Sequence, residues 1–177
     1  LQILKYTVHQ VAASYGKSAT FMPCPVVDEP GSGLPLHISL WRGERPIMAG
    51  QGYADLSTTC LHFIGGLIGH AAALNAFTNP TTNSYKRLVD GFWAPVKPTW
   101  GIDNRTASFR VIAGSPKSTR LETRCPGADV NPYLAMAAVL AWHWPHGNRS
   151  LGAANRITLA RGVLVCQLAG ALVAPSW

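Results

Sequence analysis

The sequence predicts an α+β fold, with an antiparallel sheet flanked by helices. Helical and strand patterns are mixed along the chain without the regular strand–helix–strand alternation of a parallel sheet. Two strand-like runs, 106–112 and 120–124, lie close together, with Lys117 in a Ser-Pro-Lys turn between them. The 177 residues, 47% hydrophobic and only 13% charged, suffice for one domain with a real core and exclude a disordered polar chain. There is no internal repeat and no low-complexity tract.

The elements follow in order. Residues 3–15 place Ile3, Tyr6, Val8, Val11 and Ala12 near one helical stripe, and Gly16 is a natural C-cap. Residues 18–22 are short and β-prone, and the Pro- and Gly-rich run 23–35 must be loop. Residues 36–41 alternate: Leu36, Ile38 and Leu40 share one face, and His37, Ser39 and Trp41 the other. Residues 42–45 form a hairpin-type turn. A long helix then starts at 55–57 with Ser57 as N-cap; Leu61, Ile64, Leu67, Ile68, Ala71, Ala72 and Leu74 make its apolar side. Turn chemistry at 79–83 ends it, and 83–88 is a short helix. Strands begin after Thr99, at 106–112 and 120–124. Asn131-Pro132 opens a last helix over 133–141, with Pro in the first turn.

Charge narrows the function classes. Lys plus Arg number 15 against 8 Asp plus Glu, a net +7, which suggests an anionic partner. Eight of the 15 cations fall between Lys86 and Arg124, which favours a local anion site over a generally basic surface. In the strand 120–124, Arg120, Glu122 and Arg124 face one way, and Leu121 and Thr123 the other. One carboxylate between two guanidiniums suits a metal plus anions, since the acid can ligate a hard cation and the arginines can fork onto phosphate or carboxylate. The plainer alternative is a solvated ion-pair face. Arg105 and Arg110 have an odd separation, so a bulge or a strand end is needed to bring both to one face. The Gly31-Ser32-Gly33 loop leads into His37 and Ser39, which can both donate to phosphate oxygens.

The four cysteines, Cys24, Cys60, Cys125 and Cys166, fit neither a zinc site nor a compact disulfide framework and read as buried free thiols in a reducing compartment. The uncharged run 162–177 is interrupted by Gln167, Gly170 and Pro175 and is too short in its apolar part for the ~20 residues of a membrane span. No leader opens the chain. A cytoplasmic protein without a membrane partner is expected. A nucleic-acid-binding module would explain the +7 but not the Arg-x-Glu-x-Arg strand, so no nucleic-acid partner is expected either.

Several segments together carry a family resemblance: AASYGKSATFMP, GSGLPLHISLW, LNAFTNPTTNSYKRLVDGFWAPV, DNRTASFR, SPKSTRLETRCP and NPYLAMAA. In order and spacing they resemble the catalytic domain of prokaryotic type-I glutamine synthetases, from about Lys5 to about Leu140. The resemblance implies an ATP-dependent ligase: ATP phosphorylates the side-chain carboxylate of glutamate, and ammonia displaces phosphate to give glutamine. It implies glutamate binding at Gly31, Arg87, Arg105 and Arg124, and nucleotide binding at His37, Ser39, Arg105, Arg110 and Lys117. It implies a metal, Mg2+ or Mn2+, at Glu122, and a catalytic role for Arg105, bridging the substrates and stabilising the transferring phosphoryl group. ATP is the co-substrate, and family members assemble as homo-oligomeric rings.

The chain also departs from the family pattern. Pro35 stands where the family has a metal-ligating His, and Trp93 where it has a catalytic Glu that helps ammonium lose its proton; neither replacement can do that work. Pro30 replaces a common Asn, and Cys24 a common Lys. The chain begins after the family's N-terminal domain and its acidic ligands, so metal held by Glu122 should be weak. Residues 1–142 form the catalytic-domain portion. Residues 143–177 are a divergent tail, in which 157–173 can form an apolar helix, and the chain carries no acid after Asp129. These features imply an impaired ligase or, alternatively, a non-catalytic relative with an assembly or regulatory role.

Overall fold

Short strands from distant parts of the chain build the sheet that organises this molecule. The computed structural model describes residues 1–141; the expected tail 143–177 and its 157–173 helix lie outside them. The elements are α1 (Gln2–Ser14), β1 (Leu36–Ile38), β2 (Trp41–Arg42), β3 (Arg45–Pro46), α2 (Thr58–Gly69), α3 (Ala71–Thr78), α4 (Thr82–Lys86), β4 (Trp100–Ile102), β5 (Phe109–Ile112), β6 (Arg120–Thr123) and α5 (Pro132–Ala141). Four strands order as β1-β6-β5-β4, and β2 and β3 form a separate hairpin. The sheet is antiparallel except at one edge, where β4 pairs parallel to β5.

Period-two alternation sorts the sheet into two faces. Phe109, Val111 and Leu121 point to the core and are at most 1% exposed. They pack with Cys60, Phe63, Ile64 and Leu67 of α2, Leu74 of α3, and Ala138 and Val139 of α5. Burial of a side chain of this size contributes roughly 1.5–3 kcal/mol relative to exposure. The opposite face is free to carry charge.

Local chemistry sets the helix ends. The Ser57 hydroxyl accepts from the Cys60 N–H at 3.0 Å and donates to the Ile47 carbonyl at 2.6 Å, so the expected N-cap also ties α2 to the hairpin. Thr81 and Ser84 cap α4 reciprocally. Gly16, with φ +64, ends α1 as expected.

Some expectations are corrected. The long helix breaks at His70 into α2 and α3, which are bent by 74°. Gly65, Gly66 and Gly69 weaken the last turns of α2, and the bend turns Leu74 onto the core. The strand expected over 36–41 ends at Ile38, because the Gly43-Glu44 turn, with Gly43 at φ +60, pairs Trp41 with Pro46 in the hairpin. Residues 18–22 form no strand, and the strand expected to start at Thr106 starts at Phe109. The stripe on α1 buries no residue: Ile3, Tyr6, Val8 and Val11 are all exposed.

Among the described residues no single helix is long and apolar enough to cross a membrane. Cys24, Cys60 and Cys125 are free, and Cys60 alone of them is fully buried.

Candidate active site

The sheet register places a charged row on the face opposite the core. His37 of β1 lies across from Glu122 of β6, and Glu122 lies across from Arg110 of β5. Arg124 follows two residues after Glu122 and therefore shares its face. The carboxylate of Glu122, 5% exposed, is gripped from both sides: Arg110 Nη1 donates to Oε2 at 3.0 Å, and Arg124 Nη1 to Oε1 at 3.1 Å. His37 Nε2 lies 3.9 Å from Oε1, and Arg120 Nε donates to His37 Nδ1 at 3.4 Å. The Arg-x-Glu-x-Arg strand thus puts its three charged side chains in one connected cluster with His37 and Arg110.

Arg110 and Arg124 have further partners. Arg110 donates from Nε to Asp103 Oδ1 at 3.0 Å and from Nη2 to the same oxygen. These bonds, with those to Glu122, hold the Arg110 guanidinium even more firmly protonated than usual and hold Asp103 below the ordinary carboxylate range. Arg124 Nη2 donates to the Trp93 carbonyl at 3.2 Å. Trp93 itself is exposed and has φ +58, a conformation that bulky side chains rarely adopt.

Arg87 takes a different place. It is 7% exposed, and its Nη2 donates to the carbonyls of Arg124, Cys125 and Pro126 at 3.1, 2.7 and 3.2 Å. Burial lowers its pKa. A Cβ at Gly31 would lie 2.6 Å from Arg87 Cγ and 2.4 Å from the Pro23 carbonyl oxygen. The glycine loop and the chain after β6 are therefore packed around the Arg87 side chain. Among the described residues the buried Nε–H groups of Arg87 and Arg124 lack hydrogen-bond partners.

The remaining expected residues lie at the margin. Ser39 is exposed beyond the end of β1, and its Oγ accepts from Trp41 Nε1 at 3.0 Å. Lys117 is exposed in the turn between β5 and β6. Arg105 is exposed in the loop before β5, where its charge helps depress Asp103. Its odd spacing from Arg110 needs no bulge, because the strand begins only at Phe109. Sequence reasoning missed Asp103 and the Trp93 carbonyl. The Asp-Asn pair just before Arg105 was the available signal for the first; a backbone carbonyl leaves none.

The donor set does not fit a divalent cation. Hard cations take about six oxygens, whereas both oxygens of Glu122 are held by guanidiniums. Among the described residues no three His, Cys, Asp or Glu side chains converge.

Residues 1–143 match the family profile described as glutamine synthetase, catalytic domain. The chain belongs to this family. It is 57% identical over 141 residues to the glutamine synthetases of Bradyrhizobium diazoefficiens and Rhizobium meliloti, matching 79% of this chain and 30% of each relative. A solved structure of Plasmodium falciparum glutamine synthetase superposes with a TM-score of 0.72 at 36% identity, covering 79% of this chain and 28% of that one. The chain thus spans under a third of the length of the curated relatives it matches. The family is the one its motifs indicated, and the α+β catalytic-domain fold is the one they implied.

Proposed function

We propose that this chain forms the anion-binding face of a glutamine-synthetase-type ligase, and that its ligase chemistry is impaired. The observation that carries the reading is the Glu122 carboxylate clamped between Arg110 and Arg124 in one row with His37. Two fixed guanidiniums and an imidazole suit negative charge spread over phosphoryl oxygens, and phosphoryl transfer is largely positioning and charge neutralisation. ATP, glutamate and ammonia are the substrates, with γ-glutamyl phosphate as intermediate.

Arg110, His37, Ser39 and Lys117 hold the nucleotide phosphates in this reading. Arg124 and Arg105 receive the glutamate carboxylate, and Arg105 also faces the transferring phosphoryl group. Arg87 stands against Gly31 on the glutamate side of this reading. Impairment follows from Pro35, which has no metal-binding atom, and from Trp93, whose indole cannot accept a proton from ammonium. Both oxygens of Glu122, the expected ligand of the family's Mg2+ or Mn2+, are taken by guanidiniums, so no step is assigned to the metal. The protein works in the cytoplasm, within residues 1–142.

The test is phosphate release and glutamine formation with ATP, Mg2+ or Mn2+, glutamate and ammonia. ATP binding with almost no glutamine is the expected result; robust glutamine formation by this chain contradicts the impairment.

The exposed apolar stripe of α1 favours a second reading, a non-catalytic relative kept for ring assembly or regulation. Light scattering tests the assembly role: a defined ring supports it, and a monomer or an aggregate argues against it.

A further inference from the structure

Arg110 offers an anion two hydrogen-bonding edges. Its Nη1 is committed to Glu122, a carboxylate only 5% exposed that stays in place. Its Nε–Nη2 edge, the fork that grips carboxylate or phosphate with two parallel bonds, is filled by Asp103. The Asp103 side chain is 74% exposed, so it loses little hydration in the pair and is readily displaced. Its position is nonetheless fixed by the chain. Asp103 follows β4 directly, its N–H donates to the Val111 carbonyl at 2.8 Å, and its φ is +47. The next residue, Asn104, accepts from the Thr106 N–H and hydroxyl at 2.8 and 2.7 Å and closes the turn. The backbone therefore delivers a carboxylate to the edge of Arg110 where a phosphate would sit.

We propose that Asp103 is a built-in competitor for the anion edge of Arg110, so that a nucleotide phosphate gains that edge only by displacing the Asp103 carboxylate. This inference rests on the reading of Arg110 as a phosphate-binding residue. Charge supports it: Arg110, Arg120 and Arg124 against Glu122 leave the row two net positive charges and an open fork, and Asp103 cancels one of those charges. Asp103 thereby sets how strongly the site holds a polyanion and makes binding dependent on the state of one exposed turn.

The test titrates ATP, in EDTA to remove metal, into the full chain by calorimetry. Asp103→Gly and Asp103→Asn both tolerate a positive φ, so the turn keeps its shape. Asp103→Gly is expected to tighten ATP binding about five-fold, the upper range for an exposed ion pair. Asp103→Asn should tighten it less, because its amide oxygen still accepts weakly. In the Asp103→Gly, Arg110→Gln double variant the gain should vanish. Unchanged affinity in Asp103→Gly overturns the proposal, and so does a gain that survives loss of Arg110. Arg110→Gln alone separates the two failures. If it weakens ATP binding while Asp103→Gly does nothing, only the competitor role is lost. If it has no effect, the phosphate-binding reading falls as well.

Discussion

The two faces of β6 divide structure from chemistry within four residues. Leu121 and Thr123 turn inward, and Leu121 is fully buried against Phe63, Ile64 and the rest of the core. Arg120 and Glu122 turn the other way, into the charged row with His37, Arg110 and Arg124. One backbone register fixes both sets, because the side-chain period is two and a slip of one residue would exchange them. The apolar face therefore guards the geometry of the charged face. Damage to it should cost stability first, whereas damage to the charged row should alter binding first.

Leu121→Ala should give the largest stability change. The cavity it leaves costs about 2–5 kcal/mol, read as a lower urea midpoint. Gly31→Ala comes next, at about 1–3 kcal/mol of overpacking, because its Cβ would press on the Pro23 carbonyl and Arg87 Cγ. A Gly31→Ala variant as stable as the parent would show that the Arg87 side chain yields easily and does not brace the loop.

Alkaline pH probes the core independently. Burial pushes the Cys60 thiol up to about 11 from its ordinary 9.0 and raises Cys125 as well. The folded values lie above the unfolded ones, so stability is full below the unfolded value and falls as pH rises through the window up to the folded one. For Cys60 the slope is about 1.4 kcal/mol per pH unit. Urea midpoints measured from about pH 8 to about pH 11 should show this decline, and Cys60→Ala should make it shallower, leaving the share of Cys125. The smallest stability effect should come from the exposed edge of the charged row. Asp103→Asn should leave the urea midpoint almost unchanged, and a clear drop would make Asp103 part of the scaffold.

Local periodicity made much of this legible. The first and last helices, the Ser57 cap, the 42–45 turn and the single face shared by Arg120, Glu122 and Arg124 all follow from spacing within one segment. What spacing could not supply was partnership at a distance. Arg87 braces carbonyls 37 to 39 residues away, and Asp103 meets Arg110 only because β4 runs parallel to β5. The helix break at His70 was hidden because both halves are apolar, and the glycines that weaken the end of α2 do not by themselves fix a bend. The α1 stripe was read correctly as apolar, yet it covers nothing among the described residues.

Where a nucleotide touches this chain decides between an anion-binding face and a bare ion-pair face. Backbone hydrogen exchange with and without ATP answers that directly. New protection confined to 37–39, 103–112 and 117–124, with α2 and α3 unchanged, is the predicted result; protection mapping elsewhere, with those strands unaffected, would contradict it.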